Sequence, residues 1–145
     1  MYKHILICTD GSGAGEKAVE QGLELAGLAK AKVTAIKVTE MWSALDVAGK
    51  DGLARIEHYE KLAAEAATKV LQGVASAAKR AGVDCETLHV ADSHPAAGIL
   101  ATATARGCDL IVMGSHGRRG LDRLLVGSQA NNVVNHTHVT VLVCR

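Results

Sequence analysis

Short, nearly continuous apolar runs alternate along this chain with longer stretches whose apolar residues recur at helical spacing. "HILICT" (4–9) is a β-rich run stopped by Asp10-Gly11, and "SGAGEKAVEQGLELAGLAK" (12–30) then carries Ala18, Val19, Leu25, Leu28 and Ala29 toward one helical face. Ser12 is the expected N-cap, with Glu16 in the first turns complementing the helix dipole. "KVTAIKV" (32–38) predicts the second strand, and residues 39–54 predict a loop. A long helix is expected from about Ala54 to Ala81, with Ile56, Leu62, Ala66, Val70 and Val74 among its apolar positions. Gly82 stops it ahead of a strand over 83–90. Ser93 or His94 then caps a helix that has Pro95 at its first position and Gly107 at its end. "DLIVMGS" (109–115) predicts a strand buried on both faces. A glycine-rich loop, a helix near 127–137 and a last strand "VTVLVC" (139–144) complete the chain.

The order βαβαβαβαβ predicts right-handed crossovers and a parallel sheet covered on both faces. A single doubly wound α/β domain over 1–145 follows. In such sheets ligands bind beyond the carboxyl ends of the strands, where the strand order reverses. Residues 9–13, 38–42, 91–94, 114–127 and the C-terminus are expected at that end.

Composition narrows the function. The net charge is +1 and aromatics are 2% of residues, so neither a basic field nor a base-stacking platform points to nucleic acid. Phe is absent, so the core is aliphatic. Cys8, Cys85, Cys108 and Cys144 form no C-x-x-C, which argues against zinc and thioredoxin chemistry; three of them sit in or beside strand-like runs and read as small buried hydrophobes in a reducing compartment. The first apolar run is too short for a signal sequence, and no run of apolar residues is long enough to span a bilayer. The expectation is a cytoplasmic protein without membrane or nucleic-acid partners.

Two loops compete to hold a phosphate. "TDGSGAGEKA" (9–18) resembles a P-loop aligned on Gly11 and Lys17, but Glu16 replaces the second glycine and Ala18 the hydroxyl. As a dinucleotide fingerprint it lacks the third glycine, although Glu40 stands where a ribose-binding acid would. A tight turn into a helix is the simpler reading. The second loop, "MGSHGRRGLDRLLVGSQANNVV" (113–134), spaces glycines as G-x-x-G-x(9)-G-S after a buried strand. Gly127 and Ser128 open a helix, where free N–H groups favour an anion, and Arg118, Arg119 and Arg123 add positive charge. His116 lies in this loop and could donate to a phosphate, but an exposed loop histidine is the simpler reading. His136 and His138 read as a surface turn rather than a metal pair, and Asp122 as a local ion-pair partner. Trp42 either closes over a ligand or packs at a dimer contact.

"DLIVMGSHGRRGLDRLLVGSQANNVVNHTHVTVLV" resembles the C-terminal half of the universal stress protein family, whose ATP-binding members carry G-2x-G-9x-G-[ST]. "YKHILICTDGS" and "HPAAGILATATARGCDLIVMGSHGR" extend the resemblance over the whole chain. It implies a five-stranded parallel sheet in order 3-2-1-4-5, usually in a dimer, with the nucleotide at the switch between strands 1 and 4. A phosphate cradle without a Walker lysine or hydroxyl then points to ATP with Mg²⁺ or Mn²⁺, turned over slowly or not at all, and the apolar, uncharged edge strand 139–144 to a homodimer through it. Carried over by position, Thr9, Asp10 and Val38 flank adenine and ribose, and Met113 and Gly114 line them. Gly117, Gly127 and Ser128 hold the phosphates, with the Gln129 N–H as the next donor. No catalytic residue and no protein metal ligand is implied, and the partner that reads the nucleotide state is unknown. Cys8 replaces the proline of some members, and Val139-Thr140 replaces a proline-containing pair before the last strand. A non-binding dimer of the same fold, a dinucleotide oxidoreductase and an adenylyl-transfer enzyme are the alternatives. On this reading valine at Gly117 or Gly127 weakens ATP binding, and alanine at Gly15 leaves most of it intact.

Overall fold

The computed structural model describes residues 1–41, 49–92, 94–116 and 126–145. Its elements are β1 (His4–Cys8), α1 (Gly13–Ala29), β2 (Lys32–Glu40), α2 (Gly52–Ala81), β3 (Cys85–Asp92), α3 (Pro95–Arg106), β4 (Leu110–Gly114), α4 (Ser128–His136) and β5 (Thr140–Cys144). All strand pairs are parallel, in the order β3-β2-β1-β4-β5. The chain winds outward in one direction from β1 to β3 and in the other from β4 to β5. The carboxyl ends of β1 and β4 therefore flank the switch in strand order, the place where sheets of this kind bind ligands.

Strand alternation splits the core. Ile5 and Ile7 face a cluster with Ala18, Leu23 and Ala26 of α1 and Val74 and Ala78 of α2. Leu6 and Cys8 face the opposite cluster, with Ala96, Ile99 and Ala103 of α3 and Ala130 and Val133 of α4. Because helices cover both faces, β1 and β4 read as continuous apolar runs rather than alternating ones.

The expected helix faces need correction. The buried stripe of α1 is Gly15, Ala18, Gly22, Leu23 and Ala26, while Leu28 is exposed. The side of the helix that meets the sheet is marked by glycine as much as by apolar bulk. A β-carbon on Gly22 would stand 2.6 Å from Cδ1 of Ile7, so the absent side chain sets how closely α1 approaches β1. In α2 the buried positions are Gly52, Ile56, Ala67, Leu71, Val74 and Ala78, and Leu62 and Ala66 lie in solvent.

Element ends shift for local reasons. β2 runs to Glu40 because β3 pairs with it as far as Glu40 opposite Asp92, so Thr39 and Glu40 belong to the strand and not to a loop. β3 begins at Cys85 rather than 83, while α2 begins at Gly52 rather than Ala54. Gly82 and Gly107 end α2 and α3 in the left-handed region, at φ 68° and 64°. Among the described residues, no helix is long and apolar enough to cross a membrane.

Candidate functional site

The turn after β1 is held by its own side chains. The Thr9 N–H extends the β1–β2 pairing by donating to the Ile36 carbonyl at 3.0 Å. Thr9 Oγ1 accepts from the Gly11 N–H at 3.2 Å, and Asp10 Oδ1 accepts from the Ser12 N–H at 2.9 Å. Ser12 Oγ caps α1 by accepting from the Gly15 N–H at 3.2 Å. Gly11 has φ 80°, a conformation that favours glycine in this turn. The helix is already under way at Gly13, ahead of Lys17, and Ala18 is buried. A P-loop would still be wrapping phosphate at these positions, so 9–18 is a capped βα turn.

Gly15 is not a neutral position in that turn. A β-carbon there would lie 2.7 Å from Thr9 Oγ1 and 2.8 Å from Asp10 Oδ1. Alanine would displace these two side chains, so Gly15 is sterically required by the turn itself.

At the end of β4, Gly114 meets the same turn from the other side. Its missing β-carbon would lie 2.9 Å from the carbonyl carbon of Ala14. The space left by Gly114 is thus filled by the first turn of α1. Met113 is buried in the cluster under α3 and α4, so only its main chain is left to border a ligand. Val38 is half-buried on the same face, 3.5 Å from where a β-carbon on Gly98 of α3 would stand.

Ser115 joins three segments. Its N–H donates to the Cys144 carbonyl at 2.7 Å, and its carbonyl accepts from the Gly127 N–H at 2.6 Å. A β-carbon on Gly127 would stand 2.7 Å from that carbonyl oxygen, and its φ of −59° is ordinary. Gly127 is therefore required by close approach and not by an unusual dihedral. It is also the N-cap of α4, which makes Ser128 the first helical residue, without a side-chain capping bond. The Asn131 N–H to Gly127 carbonyl bond, at 3.0 Å, closes the first turn. The N–H groups of Ser128, Gln129 and Ala130 precede it and have no acceptor within the helix. The Gln129 side chain turns away from this task and accepts from the Ala96 N–H at 3.1 Å, serving the start of α3.

Thr9, Asp10, Gly114, Gly127, Ser128 and Gln129 thus come together at the carboxyl ends of β1 and β4. Gly117, with Arg118, Arg119, Asp122, Arg123 and Trp42, lies outside the described residues. Ser115 was missed as a site residue, and His116 was weighed as a phosphate donor but set aside; their signal was the position of "SH" between two glycines directly after a buried strand. His116 is not simply exposed: its Nδ1 lies 2.8 Å from Ser115 Oγ, and its Nε2 is buried. His136 and His138 are exposed, and among the described residues no three His, Cys, Asp or Glu side chains form a metal cluster. Burial raises all four thiol pKa values, that of Cys108 to about 11, so the cysteines stay protonated and unreactive at neutral pH.

A cavity of about 310 Å³ opens at the opposite, amino edge of the sheet, lined by His4, Lys32, Thr34, Asp84, Glu86 and Arg106. Two of its charges neutralise each other, with Arg106 Nη1 2.8 Å from both Glu86 oxygens, and His4 Nε2 is 2.8 Å from Thr34 Oγ1. It lies on the wrong side of the sheet to belong to the loop cluster above.

Comparison with known proteins agrees with this architecture. The model of the universal stress protein family matches residues 1–145. Universal stress protein MJ0531 of Methanocaldococcus jannaschii is 34% identical over 148 aligned positions, covering 100% of this chain and 83% of that protein. The solved structure of hypothetical protein MJ0577 is 28% identical with a TM-score of 0.83, covering 99% of this chain and 96% of that one. A universal stress protein solved in complex with cAMP is 25% identical with a TM-score of 0.72, covering 99% and 97%. The chain belongs to the universal stress protein family.

Proposed function

We propose that this chain is a cytoplasmic, ATP-binding regulatory module of the stress response, with slow ATP hydrolysis at most. The observation that carries the reading is the pinned junction of β4 with α4. There the Gly127 N–H to Ser115 carbonyl bond holds the free N–H groups of Ser128, Gln129 and Ala130 beside the switch point. Such a helix start suits the oxygens of a polyphosphate. That a universal stress protein at 25% identity was solved in complex with cAMP supports a nucleotide as the class of ligand. Thr9 and Asp10, fixed by their own turn, suit the ribose hydroxyls, with Val38 and the main chain of Met113 and Gly114 bordering the base. Gly117, on the same motif, would serve the phosphates. Mg²⁺ or Mn²⁺ would neutralise phosphate charge while ligated by phosphate oxygens, since the described residues offer no cluster of carboxylates or imidazoles for it.

Slow turnover follows from what the junction provides. Backbone donors bind ground-state phosphate well but supply neither a Walker lysine nor a base to orient water. A homodimer through β5 completes the proposal. Nucleotide retained through purification, identified by mass spectrometry, tests it, together with thermal shifts on ATP, AMP, NAD and FMN. ATP is expected to raise the melting temperature most. NAD or FMN as the strongest stabiliser would favour an oxidoreductase, and no stabilisation by any of them would favour a non-binding dimer.

A further inference from the structure

We propose that His116 donates a hydrogen bond from Nε2 to a phosphoryl oxygen of the bound nucleotide, with Ser115 as the positioning residue that sets the imidazole tautomer. The inference rests on the reading of the β4–α4 junction as a nucleotide site.

Buried polar atoms in folded proteins are almost always paired, and an exception calls for an explanation. Among the described residues, His116 Nε2 is buried with no hydrogen-bond partner. The other ring nitrogen is engaged, with Nδ1 2.8 Å from Ser115 Oγ. Ser115 is 1% exposed, so its hydroxyl proton cannot go to solvent and needs an acceptor. Nδ1 is that acceptor. Once Nδ1 receives the Ser115 proton, a neutral imidazole carries its own proton on Nε2. The orphan atom is therefore a donor.

The backbone beside His116 points to the class of its partner. The His116 Cα lies 3.5 Å from the point where a β-carbon on Gly127 would stand, which puts His116 against the start of α4. That start presents further N–H donors and the positive end of the helix dipole. A ligand meeting several donors at once must be rich in acceptors and favoured by positive potential. Phosphoryl oxygens satisfy both conditions, whereas a base edge or a ribose hydroxyl brings its own donors. Because the imidazole is already oriented by Ser115, little ordering is left for binding to impose.

Titration calorimetry with ATP and with adenosine, which lacks phosphate, tests the proposal. His116→Ala is expected to weaken ATP about ten- to a hundredfold, as for loss of a hydrogen bond to a charged group, and to leave adenosine unchanged. His116→Gln, whose amide nitrogen reaches the position of Nε2, should recover most of the loss. His116→Asn, whose amide reaches only the position of Nδ1, should not. Ser115→Ala keeps the backbone bonds but frees the ring. It should weaken ATP less than His116→Ala, and nitrogen NMR of the imidazole should change from one tautomer to a mixture. Cooperative melting of each variant confirms that it is folded. ATP affinity unaltered in His116→Ala, or an equal loss for ATP and adenosine, overturns the role of His116 while the nucleotide site stands. Failure of the unsubstituted protein to bind either ligand overturns the site itself and this inference with it.

Discussion

The Gly127 amide and the Ser115 carbonyl oxygen meet at 2.6 Å, and the Ser115 amide meets the Cys144 carbonyl at 2.7 Å. One residue thus ties the end of β4 to the start of α4 and to the end of β5. A side chain at Gly127 would press on the Ser115 carbonyl itself, which is backbone and cannot rotate away. Gly127→Ala is expected to cost about 1–3 kcal/mol of stability, as overpacking generally does. It should also weaken ATP binding, by moving the helix start. Urea denaturation and calorimetry on the same sample check both effects.

Gly13 and Gly15 lie two residues apart in the first turn of α1, and the structure separates them. A β-carbon on Gly13 meets nothing within 4 Å, whereas one on Gly15 collides with Thr9 and Asp10. Gly13→Ala should stabilise the fold by roughly 0.4–1 kcal/mol through the unfolded chain and leave ATP affinity unchanged. Gly15→Ala should weaken ATP binding. Equal affinities in the two variants would show that Thr9 and Asp10 do not touch the ligand.

Gly22→Ala should destabilise the core without touching the site. The new methyl meets Ile7 Cδ1 at 2.6 Å and Cγ1 at 2.8 Å. A loss of about 1–3 kcal/mol is expected. Ile7→Val removes the nearer of those atoms, so the double variant should lose less than the sum of the two single losses. Additive losses in equilibrium unfolding would mean that α1 moves aside instead.

Stability should fall as the solution is acidified below neutrality, and His4 should account for part of the fall. Burial, followed by the charge of Lys32, lowers its pKa from the ordinary 6.5, and its Nε2 is paired with Thr34 Oγ1. The unfolded chain then takes up the proton more readily than the folded one. The contribution is fully present above about pH 6.5 and is lost as the pH falls through the lower folded value. His89, lowered by burial and by Lys37, acts in the same direction. Asp109 acts in a more acidic window. Burial raises its pKa, but the N–H groups of Lys3 and His4 that donate to its carboxylate outweigh this and leave it lowered, so its contribution fades below about pH 4. Denaturation of His4→Gln at several pH values should show a shallower slope between pH values of about 7 and 5.

Val141→Lys should convert the proposed dimer to a monomer. The side chains of Val141, Leu142 and Val143 are each only half-buried, although they lie on alternate faces of an edge strand that carries no charge. An uncovered strand of this composition pairs readily with another copy. Sedimentation at micromolar concentration should give a dimer for the unsubstituted chain and a monomer for the variant. Because Val141 also touches the core under α3 and α4, cooperative melting of the variant must accompany the result.

Much of this protein was legible in the order of its residues. The run "LIVM" could only be a strand covered on both sides, and Ser12, Pro95, Gly82 and Gly107 marked helix ends because caps and left-handed stops act over a few neighbouring residues. The strand order came with the family resemblance. Periodicity put Ala18, Val19, Leu25 and Ala29 of α1 correctly against the core but also placed Leu28 inside and overlooked Gly15 and Gly22, because apolar pattern rewards bulk while this helix approaches the sheet partly through positions that lack it. The glycine motif drew attention to the β4–α4 junction, but the structural reason for Gly114 and for Gly127 was tertiary. Gly114 makes room for Ala14, and Gly127 makes room for Ser115, partners far away in sequence. The same holds for the Ser115–His116 pair. The sequence makes the two residues neighbours, and only folding buries the Ser115 hydroxyl and the His116 Nε2, because burial is a property of the packed chain and not of the dipeptide.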